Sequence, residues 1–352
     1  MDKWLKTNYY LDGNGNTDII VDSLGDCILQ STYLIGKNIL NIPDLYVAYL
    51  NEITVMFGTS ENGDFRLLHN IKNVYDKKIF KLIKHDCVNK NVQEIITELL
   101  NNRTVAVIHP IIERFPFAEA YDPEYKENKI RSLHYFLIVY EDDSNYYFVD
   151  NPSIVVKKRS NQYYKNKQIG IISKKIFIEL AKDCCNIFEV KFDKDRICES
   201  ICNWKTPFFN SFVNYNKPQE IIDGLRITYG KQALESMKNL FLFENLTLDD
   251  IAPSNDRNML KYLLWKIWII KGRRTLQKKY LESHNFDSIK DKQKVIQSID
   301  LSVNAWEHFN IILIKNQLKG NNKLDVSYQS VIDKIISAEA ELYNAYGKYF
   351  FV

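Results

Sequence analysis

The sequence predicts an α+β amino-terminal half, residues 1–205, followed by an all-helical carboxy-terminal half, residues 206–352. Three observations carry this. The first stretch mixes short helical and strand patterns, broken by turn clusters such as Asp12-Gly13-Asn14-Gly15-Asn16 and Glu61-Asn62-Gly63-Asp64. An Asn- and Pro-containing connector, Pro207 to Pro218, follows Cys202. Beyond it, apolar residues recur at helical spacing almost without interruption. At 352 residues the chain is long enough to bury a sizeable core and to divide it, since cores tend to split beyond about 250 residues.

Taken in order, the first element is a helix that Asp22 or Ser23 caps, running through Cys27 to near Gly36. Val105 to Ile108 reads as a buried strand ending at His109-Pro110. Leu133 to Tyr140 alternates as a strand, Glu141 to Asn145 forms a polar turn, and Tyr146 to Asp150 is a second strand ended by Pro152, so the segment reads as a hairpin. Three long helices follow. Leu260, Leu264, Trp265, Trp268 and Ile269 mark one over about Asn258 to Leu281, with Ser254 or Asp256 as its cap. Ile296, Ile299, Val303, Trp306, Asn310 and Leu313 mark another, stopped by Lys319-Gly320-Asn321. Val331, Ile335, Leu342, Tyr343 and Tyr346 mark the last.

Composition narrows the function classes. Lys and Arg number 47 against 44 Asp and Glu, a net charge of +3, and hydrophobic residues make up 45%, which disfavours disorder, collagen and a dedicated nucleic-acid binder. No apolar stretch approaches the ~18 residues of a membrane span, the nearest, Leu263 to Ile270, being interrupted by Lys266. Met1 to Tyr10 lacks an apolar signal core, and the cysteines show no regular disulfide spacing, so a cytoplasmic protein is expected, with neither nucleic acid nor membrane as partner.

Two cofactor motifs fail on spacing. Cys184, Cys185, Cys198 and Cys202 do not form the paired knuckles of structural zinc, and read instead as small buried hydrophobes. Gly224 to Lys231 is one residue too long for a phosphate loop, and Gln232 stands where Ser or Thr would hold magnesium. No metal or cofactor is expected, so any bond-making would draw on a pre-activated substrate.

Cys27, in the first turns of its helix, sits where the backbone dipole favours a thiolate. Asp26 beside it works the other way. Cys27, Ser31 and Leu34 also fall on one helix face, and alone this segment favours an inert core cysteine. The hairpin changes the balance. If Tyr140 pairs with Tyr146, Phe136 stands opposite Asp150 and His134 lies diagonally on the same face, within reach of a carboxylate-to-imidazole bond that would leave the other ring nitrogen for a thiol. Cys27, His134 and Asp150 are therefore the candidate catalytic residues, as nucleophile, base and orienting carboxylate. His109 is kept as a residue lining the same cleft, and His85-Asp86-Cys87 reads as an exposed turn.

A cysteine opening a helix, a strand-borne histidine about a hundred residues later and an aspartate on the next strand is the order of papain-like cysteine proteases. The segments Gly25-Asp26-Cys27, Val55-Met56-Phe57-Gly58-Thr59, Val105 to Pro116, and Leu133-His134-Tyr135 to Val149-Asp150-Asn151-Pro152 resemble the acyltransferase domain family of butirosin biosynthesis protein H. They are also similar to the papain-fold amide ligases of nonribosomal assembly, including the closthioamide (polythioamide) type. The resemblance covers roughly residues 15 to 160. It implies a papain-like fold in the amino-terminal half and an amide-forming acyltransferase of natural-product biosynthesis. The acyl group would come from a phosphopantetheine thioester on an acyl or peptidyl carrier protein, pass to Cys27, and go to a small amine acceptor. Where papain-like proteases carry a glutamine shortly before the cysteine, this chain reads Ile19-Ile20-Val21-Asp22-Ser23-Leu24, so the amide of Cys27 is one candidate oxyanion donor and a second is unassigned. A carrier would meet a basic rim, of which Lys157, Lys158 and Arg159 are candidates. A peptidase of the same fold, or a non-catalytic binding protein, keeps the same residues, and a homodimer stays open.

Overall fold

The computed structural model describes residues 7, 9, 18–59, 65–69, 77–85, 91–102, 105–109, 115, 135–150, 169–181, 186–222, 224–243, 246–250, 259–284 and 291–350. In chain order these form helices α1 (Ile19–Ser23) and α2 (Cys27–Ile39), strands β1 (Val55–Thr59), β2 (Phe65–His69) and β3 (Phe80–His85), and helix α3 (Val92–Asn101). Strands β4 (Ala106–His109), β5 (Phe136–Glu141), β6 (Asn145–Val149) and β7 (Ile169–Ser173) follow, then α4 (Lys174–Ala181), β8 (Asn186–Phe192), α5 (Lys194–Cys202) and α6 (Thr206–Tyr215). Strands β9 (Glu220–Ile222) and β10 (Leu225–Tyr229) precede α7 (Gly230–Phe243), α8 (Met259–Ser283), α9 (Lys292–Leu318) and α10 (Gln329–Phe350). The chain is thus mixed α/β with antiparallel sheets and a helical carboxy-terminal half. No helix among the described residues is long and apolar enough to cross a membrane.

The chain divides into two compact units, Met1–Tyr46 with Lys78–Cys198, and Val47–Lys77 with Glu199–Val352. A contiguous division at 205 therefore does not describe it. Residues 47–77 go with the second unit because β1 pairs antiparallel with β10, Phe57 opposite Thr228, giving the sheet order β2-β1-β10-β9. That sheet also means the carboxy-terminal part is not all helical. Ile53, Val55 and Phe57 share a core with Ala233, Leu234 and Met237 of α7, Leu263 and Ile267 of α8, Trp306, Phe309 and Leu313 of α9, and Ile332 and Ile335 of α10. Each Val, Leu, Ile, Met or Phe among them contributes roughly 1.5–3 kcal/mol by leaving water.

The expected connector Pro207 to Pro218 is largely helix α6. Pro207 falls in its first turn, where the missing N–H costs nothing, and Phe208 and Ser211 are buried. Helix α9 ends where the sequence places its stop, with Lys319 as C-cap and Gly320 at φ 72°. Helix α8 spans the expected segment; Ser254 and Asp256, its expected caps, lie outside the described residues.

The first unit is built on a six-stranded antiparallel sheet of order β3-β8-β4-β5-β6-β7. Alternation gives it two faces. Ala106 and Ile108 of β4, Phe136 and Ile138 of β5, and Tyr146 and Phe148 of β6 pack with Val92, Ile95, Ile96 and Leu99 of α3 and with Phe177 and Ala181 of α4. Helix α2 packs on β5 and β8. Those helix and strand contacts set the position of Cys27 against the sheet.

Candidate functional site

Cys27 is the first residue of α2, and its cap is Asp26 rather than Asp22 or Ser23. Those two residues lie inside the short helix α1, which Asp18 caps through a 2.9 Å bond from the Ile20 amide. Gly25, at φ 65°, makes the break between the two helices, a left-handed conformation that costs an L side chain about 1–2 kcal/mol. The Asp26 carboxylate accepts from the amides of Ile28 at 2.9 Å and Leu29 at 3.2 Å. Its negative charge is thereby held by two first-turn donors that would otherwise be orphaned. This cap leaves the amide of Cys27 itself without a hydrogen-bond partner among the described residues. The thiol is free and half-buried. Helix dipole and open amide both favour negative charge at this point.

Gln30 is buried one turn further on, and its side-chain amide donates 3.0 Å to the carbonyl of Val21. That bond ties α2 to α1. Lys37, near the helix end, pairs with Asp18 at 3.0 Å.

The pairing of Leu137 with Val149 and Ile138 with Phe148 is the register in which Phe136 stands opposite Asp150. A bulge between Ile138 and Tyr140 then shifts the turn end by one, so Tyr140 faces Tyr147 rather than Tyr146. Asp142 makes the turn, accepting from the amides of Ser144 at 2.9 Å and Asn145 at 2.7 Å and from the Tyr147 hydroxyl at 2.8 Å. These bonds hold the Asp142 carboxyl below its usual range. Asp150 is buried, 5% exposed. His134 lies outside the described residues, as do Cys87, Cys184, Cys185, Lys157, Lys158 and Arg159. Cys198 and Cys202 are free and exposed on α5, not buried as the sequence suggests.

Near Cys27 the described residues place an aromatic group that the sequence reading did not single out as functional. Tyr135 lies just before β5, and because Ile108 pairs with Phe136, His109 is its cross-strand neighbour. Their rings stack, centroids 4.3 Å apart and 10° from parallel, and Phe188 of β8 leans on both at 6.0 and 6.3 Å. Tyr135 is close enough to Cys27 and Asp26 for their negative charges to act on it; burial first, then those charges, push its phenol up to about 12. Its hydroxyl has no hydrogen-bond partner among the described residues. The signal in the sequence was the β4–β5 pairing, but the register that brings Tyr135 to His109 is a non-local fact.

The first unit thus holds a thiol with an open helix amide on α2, which packs on β5 and β8, and a protonated phenol just before β5 with an imidazole stacked on it. Among the described residues, no group of three or more His, Cys, Asp or Glu side chains is placed to hold a metal ion. Comparison with family models found none that matches the chain, and comparison with curated proteins found no match.

Proposed function

We propose that the chain is a cysteine-dependent acyltransferase of papain-like architecture, making an amide by moving an acyl group from a carrier-protein thioester through acyl-Cys27 to an amine. The observation that carries this reading is the placement of Cys27 as the half-buried first residue of a capped helix packed on an antiparallel sheet. The chain order of a cysteine opening a helix, then His134, then Asp150 supports the papain-like reading.

His134 takes the thiol proton, and Asp150 orients and charge-balances its ring. The thiolate of Cys27 attacks the carbonyl carbon of the donor thioester, whose π electrons move to oxygen. Collapse of that adduct expels the carrier thiolate, which takes the proton from His134. An amine then attacks acyl-Cys27, gives a proton to His134, and leaves as the amide, and Cys27 recovers its thiol. Thioester exchange is nearly isoenergetic and aminolysis runs downhill, so the sequence of steps needs no ATP.

The test is intact-mass spectrometry of the protein incubated with a carrier-bound acyl thioester. Wild type should gain the mass of one acyl group, Cys27→Ala none, and a primary amine should discharge the adduct as an amide. Alanine at Cys198 or Cys202 should leave loading unchanged. Normal loading of Cys27→Ala would end the assignment, and rapid discharge to free acid with no amide formed would make the protein a peptidase of the same fold.

A further inference from the structure

We infer that Tyr135 is a catalytic residue of this site, donating its phenolic hydrogen to the carbonyl oxygen of the acyl group as Cys27 attacks, with His109 a positioning residue that fixes the phenol ring by stacking. The inference rests on the proposed reading of Cys27 as an acyl-accepting nucleophile, and it fills a place that reading leaves open. A tetrahedral adduct at Cys27 carries a full negative charge on oxygen, and two preorganised donors are the usual means of holding it. The open amide of Cys27 is one. Gln30 is a poor candidate for the other, because it is buried and its side-chain amide is anchored to the Val21 carbonyl.

Tyr135 meets the requirements of the second donor. It stands just before β5, a strand on which α2 packs, and the charge of Cys27 at the first residue of α2 acts on it. Its hydroxyl is uncommitted among the described residues, and it stays protonated throughout the neutral range. The stack on His109 at 4.3 Å and the contact with Phe188 restrict the ring, so the donor is in place before the charge develops. The hydrogen stays on the phenol throughout: it stabilises the oxyanion formed when the thioester carbonyl opens, and the bond relaxes when the carbonyl re-forms.

The experiment compares two reactions of the same thiol. Phenyl thioacetate acylates Cys27 through an oxyanion, whereas iodoacetamide alkylates it by direct displacement at carbon, with no oxyanion to stabilise. Tyr135→Phe keeps the ring and its stack and removes only the hydroxyl. Its acylation should fall roughly 100-fold while alkylation stays within about twofold of wild type. His109→Ala should slow acylation too, and His109→Phe should restore it, because the stack and not a proton is what His109 supplies. Acylation of Tyr135→Phe at the wild-type rate overturns the donor role while leaving Cys27 as nucleophile. Equal loss of both reactions overturns it as well, assigning Tyr135 to structure. Failure of His109→Phe to restore the rate makes His109 a proton carrier and removes the positioning role. Absence of acylation in wild type, with alkylation intact, overturns the acyltransferase reading itself.

Discussion

Asp26 has two opposed effects on Cys27. Its carboxylate caps α2 through Ile28 and Leu29, and it also sets a negative charge beside the thiol that must ionise. Asp26→Asn separates them: the amide oxygen still caps, and the charge is gone. Alkylation of Cys27 at fixed pH should then be faster than in wild type, with the urea midpoint nearly unchanged. Asp26→Ala should instead lose about 1 kcal/mol of stability with its cap. Alkylation at the wild-type rate in Asp26→Asn would mean that the charge is fully neutralised by the helix amides. At this scale the position of Cys27 in the first turns of a helix was legible, but the cap at Asp22 or Ser23 falls about one turn before the actual cap, Asp26. Several residues around Cys27 can cap in principle, and only the φ of Gly25 shows where one helix breaks and the next starts.

The hairpin of β5 and β6 was legible as an element because alternation and a polar turn are local signals. Its bulge was not, since an extra residue leaves no mark on composition. Strand β7 depends on a close approach that pins the same hairpin from the other side. Gly170 lies opposite Phe148, and a Cβ there would come within 2.1 Å of the phenyl ring, which is fully buried in the core beneath. Gly170→Ala should therefore lower the stability of the first unit by about 1–3 kcal/mol through overpacking, read as a drop in urea midpoint. A midpoint equal to wild type would show that the ring can step aside. Phe148→Leu should partly rescue the variant, because it withdraws the atoms that the methyl meets.

Across the whole molecule, the second unit buries charge in its helical core. Arg274 of α8 pairs with Glu339 of α10, and both are almost wholly inaccessible. The other carboxylate oxygen of Glu339 accepts from Ser302 at 2.5 Å and from the Trp306 indole at 2.9 Å. Glu339→Gln keeps acceptors for those two but strands the guanidinium without its counter-charge, and should cost about 3–5 kcal/mol, measured by denaturant unfolding. A loss under 1 kcal/mol would mean that water reaches Arg274. Lys77 donates to the carbonyls of Leu50 at 2.6 Å and Ala48 at 3.2 Å, and burial pushes its ammonium from 10.5 down to about 8, with Glu52 opposing the fall. Between those values the unfolded chain holds the proton and the folded chain does not, so stability from this group rises as pH climbs from about 8 to 10.5 and is flat below. Lys77→Met should remove that rise from a plot of urea midpoint against pH, and an unchanged slope would assign it to other groups.

Signals that repeat or punctuate within a few turns were enough to specify the long helices at 259–283, 292–318 and 329–350, the stop at Gly320, the β5–β6 hairpin, and a helix running through Cys27 to near Gly36, though not its start. Which distant segments share a unit is a matter of long-range pairing. Residues 55–59 join 225–229 because a strand edge with no partner of its own leaves backbone groups unpaired, and any matching edge can supply the bonds whatever its place in the chain. For the same reason the aromatic stack of His109 on Tyr135, and with it the candidate second oxyanion donor, depended on a register between strands about thirty residues apart that no local pattern encodes.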